Sequence, residues 1–441
     1  MGPEYLTILM FGGLLVGLFM GHPLPFVLGG IAVIGAYLGP GPQVFGIIVN
    51  NIYGRAMDNY VLVAIPLFIL MARFLNDSGV TERMFEALRL LLARLRGGLT
   101  LTVVIVSVLL AATTGIVGAS ITVMGMIALA PMLKYGYNKH LSTGVIMASG
   151  SLGILIPPSI MLVLMASYSP VSVGELFAGA LVPGVLLGGF YAAYVLILCH
   201  FRPDFGPPVE AEERALTSTG QLIAMLAKFV VPPIGLILGV LGALFTGLAT
   251  ATEASAIGAF LAFILYLIFG DRSVKTVFNT FLEASKTTVM VMFVIVGATA
   301  FTGVFSSGGG MQLIQELLLD SGLTPFWVIA LMLAIIFVLG MFLDWTGIVL
   351  LSFPIMLPII EAMGIDLLWF IVLTAVILQT SFLTPPFGYA LFYLKGVSPP
   401  EIRIVDLYLA VIPFCLLIVL MCIAMAVFPG LATGLPGLLL R

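Results

Sequence analysis

Apolar runs, most of them long enough to cross a bilayer, alternate with short polar breaks along nearly the whole chain. A spanning helix needs about 20 such residues. The pattern predicts spans over 5–21, 24–40 and 60–76. Gly13, Gly17 and Gly21 fall at four-residue spacing in the first, a smooth face for close helix contact. Over 79–97 the period changes: Arg83, Phe85, Leu88, Arg89, Leu92 and Arg96 predict an amphipathic arm helix lying in the interface. An apolar run at 99–133 is interrupted at 113–120, and a span at 143–169 is interrupted at 150–159, around Pro157-Pro158. A span at 173–200 then leads into the longest polar loop, 202–221.

The second half repeats this order. Spans are predicted at 223–244, 247–270 and 285–305, followed by a short amphipathic arm at 309–322. An apolar run at 323–361 is interrupted at 340–347, a span at 366–396 is interrupted around Pro385-Pro386, and a last span covers 403–428. Pro157-Pro158 and Pro385-Pro386 correspond, as do Pro131 and Pro358 with one residue of slip. The chain is thus expected to be two structural repeats, 1–201 and 223–441, joined by a cytoplasmic loop at 202–222.

Counting crossings orients the halves. If 99–133 and 323–361 are re-entrant hairpins, each repeat crosses five times, and an odd count inverts the second repeat relative to the first. Charge agrees. The first arm carries Arg83, Arg89, Arg94 and Arg96, whereas the second holds only Glu316 and Asp320 as charged residues. Putting the basic arm in the cytoplasm also places Lys134, Lys139, His140, Arg202, Arg214, Arg272, Lys275, Lys395 and Arg403 inside. Arg55, Arg441, the acidic arm and both termini fall outside. The expected fold is therefore an all-α integral membrane protein of two inverted repeats. Each has three spans, an interfacial arm, a re-entrant hairpin, a Pro-Pro-broken helix and a final span.

Composition narrows the function. Of 441 residues, 61% are hydrophobic and only 8% charged, which excludes a soluble enzyme and a nucleic-acid binder. The start has acidic Glu4 and no basic region, so it reads as a first span and not as a cleaved signal. Cys199, Cys415 and Cys422 have no metal-ligand spacing and read as buried small residues. His22, His140 and His200 form no zinc motif, and no Gly-Lys dipeptide exists to build a phosphate-binding loop. Energy must then come from an ion gradient or another subunit. An intramembrane enzyme would need paired acid and base at depth, and only Asp344 is a clear candidate, so no enzymatic activity is expected.

The chemistry is expected at the four interruptions. Non-helical backbone at membrane depth is tolerated only where it lines a cavity or is buried in protein. Hydroxyls and freed carbonyls there suit a hard cation such as Na+, and the helix restarting after each proline pair points its positive end inward, toward an anion. The first cation site is expected from Thr113, Thr114, Gly115, Gly118, Ser120, Ser149, Gly150, Ser151 and Gly153. The second is expected from Gly340, Asp344, Thr346, Thr380, Ser381 and Thr384. The substrate is expected between them, near Pro158, Ser159 and Pro386. Asp344 reads either as a cation ligand or as a cap for a helix end; an unpaired carboxylate at depth costs several kcal/mol. Glu253 reads as a helix-start acid and Arg73 as a snorkelling interfacial arginine.

These residues resemble a family. The run Ile65-Pro66-Leu67-Phe68-Ile69-Leu70, then Asn76-Asp77-Ser78-Gly79-Val80, is similar to the DctM-type large membrane subunit of tripartite ATP-independent periplasmic (TRAP) transporters. So are Gly118-Ala119-Ser120, Gly153 to Ser159, Gly247 to Ala254, and Thr384-Pro385-Pro386-Phe387-Gly388. Ala251 and Arg73-Phe74 depart from the usual pattern. The resemblance implies Na+ symport of a small organic-acid anion by an elevator motion, in a bacterial or archaeal inner membrane. It also implies two partners, a small DctQ-type membrane subunit of about four helices and a DctP-type periplasmic binding protein. A self-sufficient carboxylate carrier of the divalent-anion/sodium symporter type is the alternative.

Overall fold

The computed structural model describes residues 2–41, 43–114, 117–208, 218–385 and 388–440, with backbone only for 111–114. Eight helices among these residues are long and apolar enough to cross a membrane. The first repeat opens with α1 (Pro3–Phe19), α2 (Leu24–Leu38), α3 (Val44–Asn51), α4 (Ala64–Asp77) and the arm α5 (Val80–Leu92). The first hairpin is α6 (Gly98–Thr114) and α7 (Val117–Met124), continued through a wide turn, Gly125–Leu129, into α8 (Ala130–Lys134). The first broken span is α9 (Lys139–Ser151) and α10 (Ile160–Ser167), and α11 (Val173–Phe201) closes the half.

The second half follows with α12 (Thr219–Phe229), α13 (Val231–Phe245), α14 (Ala251–Phe269), α15 (Val274–Ser307) and the arm α16 (Gly310–Leu319). Its hairpin is α17 (Pro325–Gly340) and α18 (Trp345–Ala362), its broken span α19 (Leu367–Leu383) and α20 (Tyr389–Val397). The chain ends with α21 (Ile404–Val427) and α22 (Gly430–Leu439).

Several elements differ from the sequence reading. The segment 44–57 is helical, ending in a wide turn at Ile52–Met57, although its Gly, Asn and Arg residues break any apolar period. The expected loop 202–221 loses its end to α12, where Ser218 and Gln221 form a capping box. The span expected at 285–305 begins eleven residues earlier, because Ser273 caps a polar, still helical, extension. Arg73 is not a free snorkelling side chain: its guanidinium meets Glu283 on α15 at 3.4 Å. Glu253 is the helix-start acid expected, its carboxylate accepting from Thr250 N at 2.8 Å in a capping box. The glycine face of α1 splits in function. A Cβ at Gly13 or Gly17 would fall 2.7 Å from Ile31 or 2.6 Å from Val27, so these two set the α1–α2 approach. Gly21 instead forms the turn, at φ +81°.

The first hairpin enters and leaves at one end of the bundle. Leu99 N, at its start, donates to the Tyr137 hydroxyl, just past its end, at 3.2 Å. Burial pushes that phenol up to about 12, so it stays protonated. Gly97 N donates to Gly206 O, and Asn138 N donates to Phe205 O. The Lys139 ammonium sits 2.8 Å from Asp406, whose backbone carbonyl also meets His140 Nδ1 at 3.1 Å. Residues 97–99, 137–140, 205–206 and 402–406 thus knit one end, the one expected to be basic; Arg214 and Arg441 lie outside the described residues. Near the opposite end, Pro3 approaches Gly309 before the second arm, and the Leu440 side chain approaches Gly174.

Contacts between the halves come in exchanged pairs. The third span of each half packs on the second span of the other: α4 on α14, and α15 on α2. Each arm packs on the other half's first span, α5 on α12 and α16 on α1. The first part of each broken span packs on the other half's last span, α9 on α21 and α19 on α11. The returning helix of each hairpin packs on the other half's restarted helix, α7 on α20 and α18 on α10. Only a two-fold relation between the halves produces such a list, so the repeat read from proline spacing is also a repeat in packing.

Candidate functional site

Each hairpin tip rests against the broken helix of its own half. Gly150, in the last turn of α9, comes so close to α7 that a Cβ there would lie 2.5 Å from Ile121. In the second half, a Cβ at Gly340 would fall inside the van der Waals contact of Ser381 Cβ and Oγ. The first expected cation set gathers here as follows. Gly118 and Ser120 open α7, Ser149, Gly150 and Ser151 end α9, and Gly153 lies in the tight turn Leu152–Ile154. Thr113 and Thr114 end α6, their side chains outside the described set, as is Gly115 entirely. Of the second set, Gly340 ends α17, Asp344 and Thr346 open α18, and Thr380, Ser381 and Thr384 close α19.

Many of the hydroxyls are already engaged by backbone. Thr380 Oγ1 donates to Ile377 O at 2.6 Å and Thr384 Oγ1 to Thr380 O at 3.0 Å. Asp344 is the N-cap of α18, accepting from Gly347 N at 3.3 Å. Three fully buried side-chain atoms at the breaks, Ser149 Oγ, Ser381 Oγ and Gln379 Nε2, find no hydrogen-bond partner among the described residues. Each such atom costs about 1–3 kcal/mol unless a ligand, ion or water meets it. Ser107 Oγ, Tyr191 Oη and Thr374 Oγ1, within helices, are buried and unpartnered among the described residues as well.

A cavity of about 630 Å³ lies beside the tips. One wall is Val117 and Gly118 from the first tip, residues 342–346 from the second, and Tyr389 and Tyr393 on α20. The other wall is the α1–α2 turn around His22 and the middle of α15, including Thr287, Met290 and Val294. Asp344, Thr346, the two tyrosines, His22 and Thr287 supply polarity in an otherwise apolar lining, and no Lys or Arg is among the described lining residues. The Tyr393 ring seats directly on Gly118: a Cβ there would lie 2.6 Å from it, so only glycine lets the second half's restarted helix meet the first tip.

Of the residues expected near the substrate, Pro158 and Ser159 lie away from this cavity. Ser159 caps α10 through Leu162 N and donates to Ile154 O at 2.6 Å, and neither it nor Pro158 lines this cavity. The proline pair precedes that cap and does not occupy the first helical turn; Pro386 lies outside the described residues. Sequence reasoning missed Tyr389 and Tyr393, although their i, i+4 spacing puts both on one helix face. It also missed Thr287 and His22, which become part of the site only through packing.

A family model for the tripartite ATP-independent periplasmic transporter, DctM component, matches residues 11–431. The chain belongs to the DctM family of TRAP transporter large permeases. It is 30% identical over 414 residues to the C4-dicarboxylate TRAP transporter large permease protein DctM of Vibrio cholerae, covering 89% of both chains. Against the protein of the same description from Pseudomonas aeruginosa it is 29% identical over 381 residues, 86% of this chain and 87% of that one. The sialic acid TRAP transporter permease protein SiaT of Haemophilus influenzae is 27% identical over 387 residues, 87% of this chain and 61% of that protein. The fold is similar to that of the Alcanivorax borkumensis YdaH transporter, reported as having an unusual topology. The TM-score is 0.63 at 17% identity, over 93% of this chain and 98% of that one. This DctM family member is a multi-pass transporter subunit and not an enzyme.

Proposed function

We propose that this TRAP large permease carries a small organic-acid anion inward with Na+, receiving it from a periplasmic binding protein and working with a small membrane subunit. The supporting observation is the cavity between the two tips and the α1–α2/α15 wall. Its volume suits a metabolite-sized ligand. Its lining offers hydroxyls, tyrosines and a helix start, and no fixed cation. The relatives named for C4-dicarboxylates and sialic acid fit such a ligand. The unpartnered hydroxyls of Ser149 and Ser381 beside the breaks support a hard cation such as Na+ there.

The moving body is formed by the hairpins and broken helices, which pack on one another across the halves. We place α11 and α21 with it, since they pack on α19 and α9. The paired spans α2–α15 and α4–α14, with both arms, form the frame. The cavity reaches the α1–α2 turn, at the far end of α1 from Pro3, so this arrangement faces the basic, cytoplasmic side.

Reconstitution tests the reading. Proteoliposomes containing this chain and its small membrane subunit should take up organic acid only with an inward Na+ gradient and loaded binding protein outside. Uptake without binding protein would favour the self-sufficient carrier, and uptake indifferent to Na+ would remove the symport. Orientation has its own measurement. Single cysteines in a background lacking Cys199, Cys415 and Cys422 should label Arg94→Cys and Lys139→Cys from the cytoplasm and Gln315→Cys from the periplasm. Labelling of all three from one side would defeat the inverted arrangement.

A further inference from the structure

Ser151 and Gln379 touch. Ser151 ends α9 and Gln379 lies in the last turns of α19; both side chains are fully buried, and Ser151 Oγ lies 3.3 Å from Gln379 Oε1. The two residues are 228 positions apart, the same separation as Pro157 from Pro385, which marks the repeat. Equivalent residues of two halves can meet only on the axis that relates them. The contact is therefore the point where the two broken helices cross, and it joins a residue of the first expected cation set to the residue just before Thr380 and Ser381 of the second.

The bonding there is unfinished. The serine has one proton and two acceptors in reach, Ala148 O at 2.8 Å and Gln379 Oε1 at 3.3 Å. The other end of the amide has no partner among the described residues. Rotating the amide by half a turn completes a chain in which Nε2 donates to Ser151 Oγ and Ser151 donates to Ala148 O; amide oxygen and nitrogen are assigned by such networks. The serine hydroxyl is then committed to the axis and not to the first tip, and the amide oxygen is left as a buried acceptor beside the second break.

We propose that Ser151 and Gln379 are positioning residues that couple cation binding at one break to cation binding at the other. The proposal rests on the Na+ reading above. To bind a cation, each break must order its last helical turn and the carbonyls beyond it, at a cost in conformational entropy. A cation at the first break orders the end of α9, which fixes Ser151. Ser151 holds Gln379, and with it the turn that carries Thr380 and Ser381. The second cation then meets a break already ordered, which is positive cooperativity without a direct contact between the ions. A serine facing a glutamine also makes the junction unequal, so the two breaks are not interchangeable although the fold repeats.

The test is the Na+ dependence of uptake in proteoliposomes holding this chain, its small membrane subunit and loaded binding protein. For two coupled sites the wild-type Hill coefficient should approach about 2, and in Gln379→Met and in Ser151→Ala it should fall to about 1, with the double variant no lower than either single. A merely structural role would lower the rate or the protein level and leave the steepness unchanged. Variants as steep as wild type would overturn the coupling while leaving Na+ symport standing, as would a wild-type coefficient of 1. A wild type indifferent to Na+ would sink the symport itself and this inference with it. Should Gln379→Met fail to accumulate in the membrane, Gln379→Leu takes its place, because Ser151 also belongs to the first expected cation set and its loss alone could lower the coefficient by removing a ligand.

Discussion

Substituting Asp344 by asparagine should weaken the apparent Na+ affinity of uptake by about 10–100-fold, the usual cost of losing a group that supports an ion site, and leave the amount of protein in the membrane unchanged. The structure gives Asp344 two roles that this substitution separates. It caps α18 through Gly347 N, and it lines the cavity at the second tip. Asparagine caps a helix about as well as aspartate, so Asp344→Asn keeps the fold of the tip and removes only the charge. Asp344→Ala removes the cap as well, at about 1 kcal/mol, and should lower thermal stability in detergent where asparagine does not. A Na+ titration of Asp344→Asn that superimposes on wild type would leave Asp344 as a cap and nothing more.

The second large effect is steric. Gly340→Ala should reduce uptake by about 10–100-fold, because overpacking a close contact costs about 1–3 kcal/mol and this contact joins the second tip to its broken helix. The added methyl would occupy the space of Ser381 Cβ and Oγ. Relief should follow from making the partner smaller. The double variant Gly340→Ala with Ser381→Gly removes both clashing atoms and should recover most of the closure, although it forfeits the Ser381 hydroxyl. Uptake by the double variant with reduced Na+ affinity would assign that hydroxyl to the ion. No recovery at all would show that the glycine is needed for something other than its fit against Ser381.

Much of this architecture is legible in the chain because its signals are local. A proline pair inside an apolar run disfavours a continuous helix, so both broken spans could be placed from Pro157-Pro158, Pro385-Pro386 and their neighbours; glycine pairs alone do not interrupt, since Gly12-Gly13 and Gly188-Gly189 lie within unbroken helices. Parity and arm charge add an expected orientation, which the cysteine labelling above tests. What escaped depends on packing between segments far apart in sequence. The helix at 44–57 has no apolar period to announce it, and the extension of α15 below residue 285 reads as a polar loop because it carries Lys275, Asn279 and Glu283, the last of which meets Arg73 only in the fold. The cavity has two walls, and only the wall made by the tips carries a local signature. Thr287 and His22 look unremarkable in sequence and acquire a role only because α15 and the α1–α2 turn stand opposite the tips. Ser159 shows the converse. A hydroxyl beside a break is attractive as a ligand, and packing gives this one a second duty, donating to Ile154 O and capping Leu162 N.

The absence of lysine and arginine from the cavity lining has a consequence for stoichiometry. A doubly charged guest entering alone would carry its full charge into a weakly polarisable compartment, where the cost of dehydration exceeds what a few phenols, hydroxyls, an imidazole and a helix start return. Under the proposed symport, the travelling cations are themselves the counter-charges. The body should therefore resist crossing with cargo but without ions, and the number of Na+ per cycle should not fall below the number of negative charges on the acid. Slippage is then prevented by electrostatics, with no need for a separate gate.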